Sequence, residues 1–126
     1  MDIEEFRQYC LSKPGTTEDC PFGPDTLVFK VMGKMFSLCS ISEFGDVNLK
    51  CDPERAVELR EQYDQIKPGY HMNKTHWNTV TLEGLSQVLI CDLIDHSYDL
   101  VKDSLPKKIR EELEAKAGKK PSKKKK

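Results

Sequence analysis

The stretch Thr26–Cys51, TLVFKVMGKMFSLCSISEFGDVNLKC, decides the fold of this 126-residue chain. Apolar and polar residues alternate in three runs within it, and a period of two is typical of half-buried β-strands. Gly33-Lys34 separates the first two runs, and a glycine at the first central position predicts a type II′ hairpin turn. A second turn around Glu43–Gly45 leads into the third run. The stretch therefore predicts three antiparallel strands joined as a meander.

A helix and an irregular loop are predicted before this meander. Asp2 is a suitable N-cap for an amphipathic helix, which Pro14-Gly15 ends. The following stretch, Thr16–Asp25, contains two prolines and a glycine, so we expect it to be a loop without regular structure.

Three further helices and two short strands are predicted after the meander. Asp52-Pro53 starts a second helix, and the β-formers within residues 66–82 predict two short strands that flank a loop. Ser86 caps a long helix that runs to about Ser104, and Pro106 opens a last one. The strands are grouped between helices, which predicts a two-layer α+β domain: one antiparallel sheet with helices packed on one side.

The composition excludes several classes of protein. No apolar run approaches the ~20 residues that cross a bilayer, so we expect no membrane contact. The N-terminus, MDIEEFRQYC, lacks the basic and apolar segments of a secretory signal, which predicts a cytoplasmic location. The five cysteines are scattered and never spaced as C-x-x-C, so neither a metal site nor a redox pair is indicated. We therefore expect no metal and no cofactor.

The charge is unevenly distributed along the chain. Six of the 20 basic side chains are lysines after Gly118, which leaves 14 basic against 21 acidic side chains, a net charge of −7, in the preceding part. We expect residues 1–117 to form a single domain and 118–126 to be a disordered lysine-rich tail. An acidic body is a poor electrostatic match for nucleic acid, whose affinity comes largely from phosphate neutralisation.

The most unusual stretch is residues 69–80, GYHMNKTHWNTV, which holds two of the three histidines and the only tryptophan. A zinc site would need a third ligand that the stretch does not supply. His76 could act as a general base, but no nucleophile stands beside it in the sequence. No catalytic residue is therefore assigned.

A binding role fits this stretch better. Lys74 and Asn78 can contact phosphate or backbone groups, while Trp77 offers a flat surface on which a base can stack. A structural role is the alternative: Trp77 then fills the core beside the sheet, and Asn73 and Asn78 brace the loop. Both interpretations remain open at this point.

The run MNKTHWNTV at 72–80, followed by Leu93-Ile94 and by Ser97–Val101, closely resembles the MmcQ/YjbR family of small bacterial proteins. The resemblance covers nearly the whole chain up to Ala117. It implies a secretion-chaperone-like domain of order α-β(3)-α-β(2)-α. It also implies DNA binding through a "double wing", two β-hairpins that flank the binding surface.

The resemblance places Lys30 and Lys34 on the first hairpin, and Lys74 and His76 on the second. The candidate nucleic-acid-binding residues are Lys30, Lys34, Asn73, Lys74, His76, Trp77 and Asn78. The resulting hypothesis is a non-enzymatic DNA-binding protein. The alternative is a chaperone-like module that binds a protein partner, as a monomer or a weak homodimer.

Overall fold

A computed structural model describes residues 1–69 and 72–118 and shows a six-stranded antiparallel sheet with four helices. In chain order the elements are α1 (Ile3–Leu11), β1 (Thr16–Asp19), β2 (Thr26–Val31), β3 (Lys34–Ser40), β4 (Asp46–Lys50), α2 (Pro53–Gln62), β5 (Ile66–Pro68), β6 (Trp77–Thr81), α3 (Gln87–Asp103) and α4 (Lys107–Gly118). The predicted α+β class is confirmed. Gly118 ends α4, and the rest of the expected lysine-rich tail lies outside the described residues.

The helices cover one face of the sheet. The strand order is β1-β2-β3-β4-β6-β5, and every neighbouring pair is antiparallel. One row of buried, cross-strand side chains runs through five strands: Leu27, Cys39, Val47, Val80 and Ile66. All four helices contribute to the core that includes this row, through Phe6, Leu59, Ile94 and Leu113 among others. We call the opposite face of the sheet the helix-free face.

The sequence signals at the helix ends behave as predicted. The Asp2 carboxylate accepts a hydrogen bond from the Glu5 backbone N–H at 2.8 Å, and the Glu5 carboxylate accepts one from the Asp2 backbone N–H at 2.9 Å, forming a capping box. Asp52 caps α2 with Pro53 in its first turn, and Ser86 caps α3. Caps of this kind satisfy backbone donors that a helix cannot pair internally.

The prediction of an irregular loop over Thr16–Asp25 was wrong for its first four residues. Thr16–Asp19 forms β1 at the edge of the sheet, with Thr16 opposite Val31. The sequence TTED shows no alternation of apolar and polar residues. The strand is held instead by backbone pairing with β2 and by contacts of its surface side chains. Glu18 accepts two hydrogen bonds from the Arg7 guanidinium of α1, at 2.7 and 2.6 Å, which attaches the edge strand to that helix.

The turn between β2 and β3 also differs from the prediction. Val31 pairs with Lys34, so the two central residues are Met32 and Gly33 rather than Gly33 and Lys34. Their φ angles are 48° and 88°, both positive, which is the pattern of a type I′ turn and not of type II′. The Met32 amide donates to the Gly15 carbonyl at 3.1 Å, and this contact holds the turn in place.

A β-bulge in β3 lets that strand meet α3. Phe29 pairs with Ser37 and Lys30 pairs with Met35, so Phe36 has no partner residue on β2. Phe36 is fully buried in the core on the helix side, where its ring meets the ring of Tyr98 edge-on at 5.4 Å. Strict alternation would have placed Phe36 on the helix-free face beside Lys30.

The Ser97 hydroxyl of α3 joins the two central strands beside this bulge. It donates to the Phe36 carbonyl at 2.5 Å and accepts from the Lys50 backbone N–H at 2.8 Å. The regular β3–β4 pairing ends at Ser37 opposite Leu49, so the hydroxyl occupies the place of the next direct backbone bond. Ser97 is fully buried, and one side chain thus satisfies a donor and an acceptor on different strands.

His96 makes a second connection from α3 to the chain beyond β4. Its Nε2 accepts a hydrogen bond from the Asp52 backbone N–H at 3.1 Å, so this nitrogen must be unprotonated. Burial lowers the pKa of His96 below its ordinary value, and the charge of Arg55 acts in the same direction. The carboxylates of Asp52, Asp92 and Asp99 oppose this shift.

We predict that Ser97→Ala lowers the free energy of unfolding by about 1–3 kcal/mol, because two backbone groups lose their partner. Ser104→Ala is the matched control: its hydroxyl donates to the Val101 carbonyl at 2.7 Å at the exposed end of α3, and we expect a loss below about 1 kcal/mol. Urea denaturation of both variants provides the measurement. Equal losses of unfolding free energy would show that the Ser97 bridge stabilises the fold no more than the exposed Ser104 hydrogen bond does.

We also predict that His96 makes the fold less stable in mild acid. Its folded-state pKa lies below the unfolded value of about 6.5. The contribution of neutral His96 is therefore complete above pH 6.5 and is lost as the pH falls below it. Between pH 7.5 and 5.5, the wild-type urea midpoint should fall more than that of His96→Gln, which retains an acceptor but does not titrate. Parallel pH profiles would contradict this assignment.

Candidate nucleic-acid interface

Both hairpins point to the same end of the sheet. Met32-Gly33 joins β2 to β3 at this end, and the β5–β6 connection also lies here, because Lys50 at the end of β4 pairs with Trp77 at the start of β6. We call this the tip end. The two hairpins stand on either side of β4, with midlines three strand spacings apart, or about 14 Å.

Five lysines, which we call the tip-end lysines, lie at or near this end. Lys30, Lys50 and Lys67 alternate with core residues along β2, β4 and β5, which places them on the helix-free face. Lys34 lies at the β2–β3 turn and Lys74 in the β5–β6 connection. The structure therefore adds Lys50 and Lys67 to the candidates from sequence. The buried Val47 and Leu49 could have revealed Lys50, because residues at odd spacing face the other side of a strand.

Most of these lysines are free to meet an external anion. Lys30 lies 3.5 Å from the Asp19 carboxylate, whereas within the described part of the chain no ion pair engages the other four. Lys34, Lys67 and Lys74 are exposed, and Lys50 is half-buried. The tip end thus presents positive charge that internal carboxylates do not neutralise.

The acidic side chains are concentrated elsewhere. The helices α1 to α4 contain two, three, four and three of them respectively, so twelve of the 21 acidic side chains lie on helices. The helices also carry eight of the 14 basic side chains before the tail, so they account for −4 of the net charge of −7, while five of the six remaining basic side chains are the tip-end lysines. This separation weakens the objection that the whole body repels nucleic acid, since exposed charges more than about 10 Å apart are largely screened at 0.1 M salt.

Two of the candidate residues, Asn73 in the β5–β6 connection and Trp77 at the start of β6, shape this loop. The Asn73 side-chain oxygen accepts from the backbone N–H groups of Thr75 and His76, at 2.9 and 3.3 Å, although the residue itself is exposed. Trp77 is only 8% exposed, so its ring offers little surface on which a base could stack. Gly69 packs against it: a Cβ on Gly69 would lie 2.8 Å from the Trp77 Cβ.

Asn78 is held by a residue that the sequence did not single out. Asn78 is 2% exposed, and its side-chain oxygen accepts from the Arg60 Nε at 2.9 Å. Arg60 Nη2 also donates to the Lys74 carbonyl at 2.8 Å. Arg60 of α2 therefore fixes the segment that carries Lys74 and His76, both of which are exposed. Arg60 gave no sequence signal, since an arginine near a helix end is typical of a solvated surface.

The described residues were compared with the arrangements that metal sites and reactive thiols require. They contain no group of three or more histidine, cysteine or acidic side chains placed to hold a metal ion. Burial raises the pKa of Cys39 to about 12 and that of Cys51 to about 11, so both thiols stay protonated at neutral pH. Within the described ranges, no helix has the length and apolar content that crossing a membrane requires.

Comparison with known sequences gives consistent matches. The YjbR family model matches residues 11–100. A protein named YbdF from Escherichia coli O157:H7 is 42% identical over 107 residues, 83% of this chain and 88% of the relative. A protein named YjbR from Escherichia coli K12 is 36% identical over 112 residues, 87% of this chain and 95% of the relative. Both relatives are named only as uncharacterized proteins, so their names attribute no activity to them.

Solved structures show the same architecture. A Deinococcus radiodurans protein with a DUF419 domain superposes with a TM-score of 0.83 at 41% identity, covering 89% of this chain and 87% of that one. A Pseudomonas syringae protein has a TM-score of 0.69 at 32% identity, covering 80% of this chain and 99% of the other.

We predict that Arg60→Met lowers the free energy of unfolding by about 1–3 kcal/mol, because it leaves the buried Asn78 oxygen unpaired. Amide hydrogen exchange should also accelerate at Thr75 and His76, whose loop loses its anchor. Arg55→Met is the control, since Arg55 pairs with the exposed Asp92 and such pairs contribute about 0–1 kcal/mol. Unchanged exchange in the Arg60 variant would show that Arg60 does not position the loop.

Proposed function

The chain belongs to the YjbR family. We propose that it is a non-enzymatic DNA-binding protein whose tip-end lysines bind the phosphate backbone. One observation carries the proposal: two hairpins and the central strand between them bring five lysines to one end of the sheet, three of them (Lys30, Lys50 and Lys67) on the face that the helices leave open. The proposal includes a cytoplasmic location, where bacterial DNA is accessible.

The geometry suits a duplex. The two hairpin midlines are about 14 Å apart, close to the ~12 Å width of the major groove of B-DNA. Lys34 on one tip and Lys74 on the other can therefore contact phosphates on opposite sides of one groove, with Lys50 between them. Such contacts release counterions and carry no sequence information, so we expect binding that depends steeply on salt and weakly on sequence.

The candidate residues of the β5–β6 connection and of the start of β6 divide into two roles in this proposal. Lys74 and His76 contact the backbone, together with Lys30 and Lys34 of the first hairpin. Asn73, Trp77 and Asn78 act as positioning residues, because their hydrogen bonds and burial hold the loop in shape. Arg60 joins this second group through its bond to the Lys74 carbonyl.

The test must separate the domain from the lysine-rich tail. We would measure binding to mixed-sequence duplex DNA over a salt series, using the full chain and a full-length variant whose six lysines after Gly118 are replaced by serine. The variant should still bind. Adding Lys34→Gln, Lys50→Gln and Lys74→Gln to it should then reduce the slope of log K against log salt by about 3, roughly one unit for each lost phosphate contact.

A matched triple substitution provides the control. Lys102→Gln, Lys107→Gln and Lys108→Gln remove the same charge from α3 and α4, and we expect the salt slope to change by less than about 1. Equal effects of the two triple variants would show that only net charge matters. Loss of all binding in the serine-tail variant would assign the affinity to the tail and favour the alternative, a protein-binding module. Sedimentation would then test for its homodimer.

A further inference from the structure

The helix-free face carries a groove that the DNA-binding proposal does not use. We call it the sheet groove. Its volume is about 700 Å³, within the ~300–1,000 Å³ that is usual for small-molecule sites. It crosses the strands from β2 to β6, and its lining consists of Phe22, Thr26, Met35, Leu38, Cys39, Ser40, Glu43, Asp46, Asn48, Met72 and Thr79.

Part of the floor and both side walls of the sheet groove are apolar, and Asn48 and Thr79 make the rest of the floor polar. Leu38 and Met35 lie on the outer side of β3, where their pairing with Val28 and Lys30 places them away from the core. Phe22 and Met72 come from the two connections that flank the face, and Phe22 is 68% exposed. Met35 and Met72 are half-buried, and partly accessible phenylalanine and methionine side chains form soft, adaptable surfaces for apolar ligands.

One end of the sheet groove is acidic. Glu43 in the β3–β4 connection and Asp46 at the start of β4 lie at the end opposite the tips. Both are exposed, and in the described part of the chain neither has an ion-pair partner. The Asp46 carboxylate is oriented by the Thr81 hydroxyl, which donates to it at 2.7 Å. The described lining residues include no lysine, arginine or histidine.

We propose that the sheet groove binds a small amphipathic cation: a molecule with an apolar body and a protonated amine or guanidine head. The body lies on Leu38 and Met35 between Phe22 and Met72, and the head lies between Glu43 and Asp46. Met35 and Ser40 are five residues apart on β3, which allows a ligand up to roughly 15 Å long.

The negative charge of the groove lining disfavours a polyanion such as DNA, which we propose as the ligand of the tip end. Two unpaired carboxylates repel phosphates and carboxylates, whereas each attracts a cation placed within about 4–6 Å. The same face of the sheet therefore has two surfaces of opposite preference: the tip-end lysines for polyanions and the sheet groove for a cation. The preference of the sheet groove for a cation follows from its lining residues and does not depend on DNA binding.

Three eight-carbon probes test the proposal: octylamine, octanol and octanoate. Each is titrated into the ¹⁵N-labelled full chain while amide shifts are followed. We expect saturable octylamine shifts at Leu38, Asp46 and Asn48, with an affinity about tenfold higher than for octanoate. The double variant Glu43→Gln, Asp46→Asn should reduce that ratio to about one, and Leu38→Gln should weaken octylamine and octanol alike.

Controls on α3 keep the test decisive. Val88→Gln changes an apolar side chain that is 81% exposed, and Asp99→Asn with Asp103→Asn removes two carboxylates; neither should alter octylamine binding. If Leu38→Gln perturbs the fold, Phe22→Ser substitutes for it, because Phe22 is mostly exposed. Equal binding of octanoate and octylamine, or octylamine shifts that cluster on α3, would overturn the proposal.

Discussion

The Ser97 hydroxyl is the contact on which the arrangement of the two layers depends. It bridges the Phe36 carbonyl and the Lys50 amide, at the point where the direct pairing of β3 and β4 stops. The bulge at Phe36 would otherwise leave a buried carbonyl without a partner, at a cost of about 1–3 kcal/mol. One hydroxyl therefore fixes α3 against the middle of the sheet and lets the Phe36 ring join the core beside Tyr98.

This attachment determines what the other face of the sheet can do. With all four helices contributing to one core, the helix-free face keeps side chains such as Leu38 and Lys50 accessible to ligands, while Val28 and Trp77 are buried there. The tip end of that face is rich in lysine, whereas its opposite end carries Glu43 and Asp46. The helices, which together carry a net charge of −4, lie in the other layer. A chain with a net charge of only −1 thus has distinct regions of opposite sign.

Much of this fold could be predicted from the sequence, because its signals were local. Alternation identified the meander, and caps identified the ends of the helices. The sequence did not predict the edge strand β1, because TTED has no alternation of apolar and polar residues. It gave the wrong turn type between β2 and β3, because that type depends on Met32 adopting a positive φ. Tertiary contacts determined both features, and residue patterns do not record such contacts.

The candidate site was predictable to a smaller extent. The sequence indicated the lysines of both hairpins, but only strand register shows that Lys50 and Lys67 share their end of the sheet. The side chains that look most like ligands, Trp77 and Asn78, are buried and support the loop. Their anchor, Arg60, lies 18 residues from Asn78 in the chain, so its role followed only from the folded geometry.

The most direct test of the central claim is to map the DNA contact surface by NMR on the full chain with a serine-substituted tail. A short mixed-sequence duplex is added and amide shifts are recorded. We predict that the largest shifts fall at Lys34, Lys50 and Lys74, with the helices unaffected. Shifts spread over α3 and α4, or none at the tip end, would contradict it.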